Sequence, residues 1–361
     1  MAHDPLLRDI DEPVHGGKDI EELKRHGLDP EECIDFSASL NPLGPPEFLM
    51  KRIRGVPKSK IGNYPDTSCR EGRETLSDQL GIDSEKFIIT AGITGLLNIL
   101  SKVFLDKNKT VCIPAHTYGE YEHFAKISRS EIKTIEMPEL KLKKDDIISA
   151  VEENSVVFLC NPNNPTGGLL RKEEIEEIMN EIRRKNAFLV IDEAYIDFVE
   201  DPPVLHRLEL SNLVLMRSFT KSFGIPGIRL GYGISSKENI HLMRKVKLSW
   251  EVSGIAQFLL PELITNKARK FVAKSKKMIH IRKREMEKDL ERSNLSLLPS
   301  TANFILIEVG NASEIRKESL KKGVIVRDCS SFGLPYHIRI SIRGKEENSK
   351  LLEVFRSILT T

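Results

Sequence analysis

The chain has 361 residues, more than one ordinary domain and enough to bury a substantial core. Its 55 lysines and arginines stand against 53 acidic residues, and the formal charge of +2 gives no electrostatic ground for a nucleic-acid or membrane partner. The five cysteines (Cys33, Cys69, Cys112, Cys160 and Cys329) include no C-x-x-C pair, and no histidine lies at metal-ligand spacing, so neither a disulfide framework nor a metal site is expected.

Taken from its start, the run Met-Ala-His-Asp-Pro-Leu-Leu-Arg lacks the apolar stretch of a signal peptide. No later segment approaches ~18 uninterrupted apolar residues. A soluble, cytoplasmic protein is therefore expected. Residues 1–45 read as an irregular arm with one short helix, Lys18 to His26, stopped by Gly27. The run from Asp35 to Pro46 is too rich in turn residues for a helix, and it can either drape over a site or be a poorly ordered terminus. A helix is predicted from about Ser68 to Leu80. Phe87–Thr90 then reads as a buried strand, and Ala91-Gly-Ile-Thr-Gly95 turns it into an apolar helix reaching about Phe104. Such a strand–turn–helix start aims free N–H groups at an anion, although many turns of this kind bind nothing.

Strands and helices then alternate. Thr110–Ile113 is a strand, followed by a helix from Glu120 to about Ser128; Val156–Cys160 is a strand ended by Asn161-Pro-Asn-Asn-Pro-Thr-Gly167. Lys172–Lys185 carries Ile175, Ile178, Met179 and Ile182 on one face and charge on the other, the pattern of an outer helix. Strands follow at Ala187–Ile191, Asn212–Met216 and Leu230–Ile234, which together predict a mostly parallel sheet covered on both faces. A long helical stretch from about Lys245 to Arg292, broken near Pro261, leads to a smaller unit. That unit has strands Asn303–Ile307, Val324–Arg327 and His337–Ser341 and a last helix from Lys345. The expected organisation is an arm over 1–45, a large domain over 46–244 and a small C-terminal domain over 245–361.

Chemistry concentrates in Ser218-Phe-Thr-Lys221-Ser-Phe-Gly-Ile-Pro-Gly-Ile-Arg229-Leu-Gly-Tyr232. Lys221 is predicted on the loop just past a buried strand, where open α/β sheets place ligands. A lysine among apolar neighbours loses hydration, its ammonium is disfavoured, and the free amine can condense with an aldehyde. Ser218 and Arg229 supply a hydroxyl and a guanidinium fork suited to a phosphate. The plain alternative is a surface lysine in a glycine-rich turn. Asp192, leaving the preceding strand, is either a helix N-cap or a carboxylate aimed at the same edge. Tyr118 is either a core tyrosine or a ring free to stack on a ligand.

The spacing Ser-x-x-Lys-x₇-Arg-x-Gly-Tyr resembles the lysine segment of fold-type I pyridoxal-phosphate enzymes, and the likeness extends over essentially the whole chain. It implies the fold of that group, with a mostly parallel seven-stranded sheet in the large domain. The implied cofactor is pyridoxal 5′-phosphate, bound by Lys221. Its phosphate would meet Ser218, Arg229 and the N–H groups around Ile93 and Thr94, and Tyr64 would reach it from the neighbouring subunit of a homodimer. Asp192 would keep the pyridine nitrogen protonated, Tyr195 and Asn164 would donate to the ring oxygen, and Tyr118 would stack on the ring. Within the group the chain is most similar to histidinol-phosphate aminotransferases and to the threonine-phosphate decarboxylase of cobalamin biosynthesis. Three stretches favour the decarboxylase. They are His15-Gly-Gly17 with Asp35-Phe-Ser-Ala-Ser-Leu-Asn-Pro-Leu-Gly44, Ser249-Trp250-Glu-Val (without the family's proline), and Val326–Leu334 with Ile338–Arg343.

The resemblance implies a substrate site of His15, Gly44, Asn164, Arg327 and Arg339, with Arg339 on the carboxylate and Arg327 and His15 on a distal phosphate. Read as surface residues, the two arginines would merely end strands. The implied reaction is loss of CO₂ from threonine O-3-phosphate. The alternative is transamination of histidinol phosphate with 2-oxoglutarate. A non-catalytic regulator that holds the same cofactor would need an attached module, and the arm is too short to be a DNA-binding domain.

Overall fold

A computed structural model describes Arg8 and residues 10–359. The first seven residues, read above as lacking a signal-peptide core, lie outside that range. Among the described residues, thirteen strands occur in chain order. The first eight are β1 (Ile34–Asp35), β2 (Phe87–Thr90), β3 (Thr110–Pro114), β4 (Glu131–Ile135), β5 (Val156–Cys160), β6 (Phe188–Asp192), β7 (Leu213–Ser218) and β8 (Gly231–Ile234). They are followed by β9 (Ser296–Leu298), β10 (Phe304–Glu308), β11 (Val324–Ile325), β12 (Arg327–Asp328) and β13 (His337–Ser341). β2 to β8 form one seven-stranded sheet in the order β2-β8-β7-β6-β5-β3-β4. Only β8 runs antiparallel to its neighbours, β2 and β7. The rest is parallel, as the alternating pattern predicted.

Continuous apolar runs explain why these strands lie inside. Successive side chains of a strand point to opposite faces. Val156 and Phe158 accordingly enter one apolar cluster, while Val157 and Leu159 enter the other. The sheet is thus buried on both sides, which parallel sheets require. The helix Lys172–Arg184 covers one face through the four predicted residues, and Glu174 closes its first turn by accepting from the Arg171 N–H.

Several predicted elements are corrected. The stretch from Lys245 is three helices, Lys237–Val246, Gly254–Leu259 and Asn266–Arg292. Each starts at a hydroxyl cap (Ser236, Ser253 and Thr265), and Trp250 between the first two holds a left-handed φ of +58°. Predicted as one strand, Val324–Arg327 is two: β11 pairs with β1 of the arm, and β12 joins the four-stranded antiparallel sheet β12-β13-β10-β9. The arm is therefore less irregular than its composition suggested. Its helix Ile20–Arg25 is capped by Asp19, and β1 ties it to the C-terminal part of the chain.

Candidate active site

β5, β6 and β7 lie in register, with Cys160 beside Asp192 and Asp192 beside Met216. Their C-terminal ends open into a cavity of about 650 Å³, within the range of small-molecule sites. Lys221 lines it, in a one-turn helix Phe219–Phe223 rather than the predicted loop. The turn forms because Ser218 caps it, accepting from the Thr220 N–H, and Gly224 ends it at a φ of +62°. Burial and the nearby charges of Arg339 and Arg229 lower the Lys221 ammonium to a pKa of about 8. A neutral amine is then accessible near physiological pH.

At one end of the cavity the helix Gly92–Phe104 begins without a side-chain cap, so its first-turn N–H groups, around Ile93 and Thr94, can serve an anion. Arg229 lies against this helix start. A Cβ on Gly92, whose φ is +78°, would stand 2.9 Å from its Nη2. Ser218 lines the same cavity. A helix N-terminus, a hydroxyl and a guanidinium so placed could together hold a phosphate.

Asp192 is 3% exposed; its carboxylate accepts from the Tyr121 hydroxyl and the Ala194 N–H, both at 2.9 Å. Burial raises its pKa to about 6, against the pull of those donors and of Lys221. A cation such as a ring N–H⁺ would complete this site. Tyr195 packs edge-on to Phe304 and lies 5.7 Å beneath the Lys221 amine. Tyr118 meets Tyr121 edge-to-face at 5.5 Å, and burial pushes its phenol well up. The Asn164 carbonyl accepts from Arg339, which leaves the amide N–H₂ as that side chain's donor.

The opposite wall is cationic. Arg327 on β12 and Arg339 on β13 are register partners, 7% and 4% exposed. Arg339 also donates to the Ser37 carbonyl at 2.6 Å, while Arg327 donates to the Val14 carbonyl at 2.8 Å and to Ser331 Oγ at 2.6 Å. Neither forms an ion pair with a carboxylate among the described residues. Burial and the charge of Arg339 lower Arg327 to about 10. Two like charges directly opposite on neighbouring strands are unfavourable unless an anion sits between them.

His15 also lines the cavity, 2.9 Å from Glu120. Two predicted residues lie elsewhere. Tyr64 is 80% exposed and stacks on Trp250 at 4.4 Å, outside this cavity. Gly44 packs under Gly224, behind the Lys221 turn. The arm holds that turn from the same side, since Asn41 donates to the Lys221 carbonyl at 2.9 Å. Sequence reading missed Tyr121, Ser37, Ser331 and Glu120. No local pattern marked them: Tyr118 precedes the helix Glu120–Ile127 on which Glu120 and Tyr121 sit.

A family model described as "Aminotransferase class I and II" matches residues 31–355. A histidinol-phosphate aminotransferase of Methanothermobacter thermautotrophicus is 32% identical over 98% of this chain and 96% of its own length. A Caldanaerobacter subterraneus protein that carries the name threonine-phosphate decarboxylase is 33% identical over 89% of each chain. Among solved structures, the histidinol-phosphate aminotransferase of Clostridium acetobutylicum superposes with a TM-score of 0.82 at 26% identity, covering 90% of this chain and 98% of that one.

Proposed function

This chain belongs to the class I and II aminotransferase family, and from that premise we propose that it decarboxylates threonine O-3-phosphate to 1-amino-2-propanol O-2-phosphate. The observation that carries this reading is the pair of buried, carboxylate-free arginines beneath the amino-terminal arm. A small substrate with a carboxylate at one end and a phosphate at the other matches their charge. In this reading Arg339 takes the carboxylate, and Arg327 with His15 takes the phosphate.

The cofactor is pyridoxal 5′-phosphate, which when bound supplies an electron sink for the pair left at the substrate Cα. The residues fit it: an amine of lowered pKa at Lys221, an anion cradle at Gly92–Thr94, Ser218 and Arg229, and a buried carboxylate at Asp192. Asp192 would hold a proton at the pyridine nitrogen. Tyr195 and Asn164 would donate to the ring oxygen, Tyr118 would pack on the ring face, and Tyr64 would reach the phosphate of a neighbouring subunit's site. As the carboxylate leaves as CO₂, its bonding electrons stay behind, and a proton from Lys221 or water restores the fourth bond at Cα.

The relative named histidinol-phosphate aminotransferase, matched along 98% of the chain, favours a second reading with the same groups. There Lys221 removes the Cα proton, and the carboxylate that Arg339 meets belongs to glutamate or 2-oxoglutarate. The test is direct. Purified protein loaded with pyridoxal phosphate is given threonine phosphate and CO₂ is measured; histidinol phosphate with 2-oxoglutarate is then supplied and glutamate is measured. CO₂ is the expected product, and glutamate without CO₂ would reverse the assignment.

Gly92→Ala tests the cradle independently of the substrate. Alanine at a positive φ costs about 1–2 kcal/mol, and the new methyl would push Arg229 aside. A rise of about tenfold in the dissociation constant of pyridoxal phosphate is expected in an equilibrium titration. An unchanged constant would move the phosphate elsewhere.

A further inference from the structure

Glu120 opens the helix Glu120–Ile127, and its carboxylate lines the cavity. Its side chain is 7% exposed, while that of His15, 2.9 Å away, is 51% exposed. A buried carboxylate in a pocket that reads anions is an obstacle unless a partner covers it. The arm supplies that partner, and the arm itself is closely seated. The Gly17 N–H donates to Ser37 Oγ at 2.7 Å, and the Val14 carbonyl accepts from Arg327. At Gly16 a Cβ would meet the Ser37 carbonyl oxygen at 2.6 Å, so only glycine lets the two backbones approach. The residues on both sides of His15 are thus fixed, and Glu120 fixes its ring.

We propose that Glu120 is the positioning residue for His15: it engages Nε2, leaves Nδ1 to meet the substrate's distal phosphate, and screens its own charge from that phosphate in the same contact. This rests on the reading that His15 and Arg327 share the phosphate. Its consequence is a preference for phosphorylated substrates that depends on two residues acting as one unit.

The experiment is a double-mutant cycle on the cofactor-loaded protein with His15→Ala, Glu120→Ala and both together, supported by Glu120→Gln. A hydrogen bond to a charged group corresponds to roughly 10–150-fold in affinity. Each single alanine variant should therefore raise KM for threonine phosphate by about tenfold or more, with kcat changed by less than about twofold. The double variant should be no worse than the poorer single. Glu120→Gln keeps an oxygen acceptor at the same reach and should fall between the unaltered protein and Glu120→Ala; it also carries the cycle if the alanine variant does not fold. A purely structural Glu120 would lower the melting temperature without splitting KM from kcat. An unchanged KM in Glu120→Ala, or losses that multiply in the double variant, overturns the proposal. If the unaltered protein releases no CO₂, the substrate assignment alone fails. The cycle is then read on histidinol phosphate, where the same coupling is expected and its absence would again refute the pairing.

Discussion

Lys221→Ala is expected to abolish turnover and the visible absorption of protein-bound cofactor while leaving the fold intact. The activity loss should be about 10⁴-fold or more, because the same amine both attaches the cofactor and moves the proton at Cα. The fold should survive because the Lys221 amine forms no ion pair among the described residues. What secures the turn is backbone: the Lys221 carbonyl accepts from Asn41, and Ser218 caps the helix. Removing an amine that burial holds at a pKa of about 8 relieves a desolvation cost. The melting temperature of the apoprotein should therefore stay level or rise. In the unaltered protein, the rate of cofactor attachment should increase with pH and level off just above 8, where the amine is neutral, rather than climb toward the usual lysine range near ~10.4. Absorption spectra of reconstituted protein across pH measure both effects. Retention of the band in Lys221→Ala would end the assignment of this lysine.

The turn at Lys221 was read as a loop because a five-residue helix, capped by Ser218 and ended by Gly224, is too short to show a helical period. The strand before it was legible because its β-type residues run unbroken. β4 was missed for the opposite reason. Its sequence Glu-Ile-Lys-Thr-Ile sits at the sheet edge beside β3 alone and stays partly exposed, so charge interrupts the apolar run. Trp250 reads as helix by composition and is held in a left-handed turn by its surroundings. In the cavity, Lys221, Asp192 and Arg229 announced themselves through spacing. Glu120 and Tyr121 could not, because on paper they are two residues of a short amphipathic helix. Their partners, His15 and Asp192, are 105 and 71 positions away. The apposition of Arg327 and Arg339 likewise depends on the register of β12 against β13, which no local pattern encodes.

Replacing Asp192 separates chemistry from stability. Asp192→Asn and Asp192→Ala should each lower kcat by about 10²–10³-fold, the usual loss when one preorganised electrostatic partner is removed. Neither side chain carries the negative charge that keeps a proton at the pyridine nitrogen. Their stabilities should differ. Alanine leaves the Tyr121 hydroxyl, fully buried and donating at 2.9 Å, without an acceptor, at a cost of about 1–3 kcal/mol. Asparagine keeps an oxygen there and should unfold close to the unaltered protein. The pH dependence of the apoprotein gives a second check. Burial raises Asp192 from 3.8 to about 6, so the folded state binds its proton more tightly than the unfolded chain. That contribution is fully present below pH 4 and is lost as pH rises through 6. Compared with Asp192→Asn, the unaltered apoprotein should thus lose on the order of 2–3 kcal/mol between pH 4 and 7. Denaturant titrations of both proteins across that range measure the difference. Parallel pH profiles would mean that Asp192 is not held as a buried, reluctant anion, and its pairing with a ring nitrogen would lose its electrostatic basis.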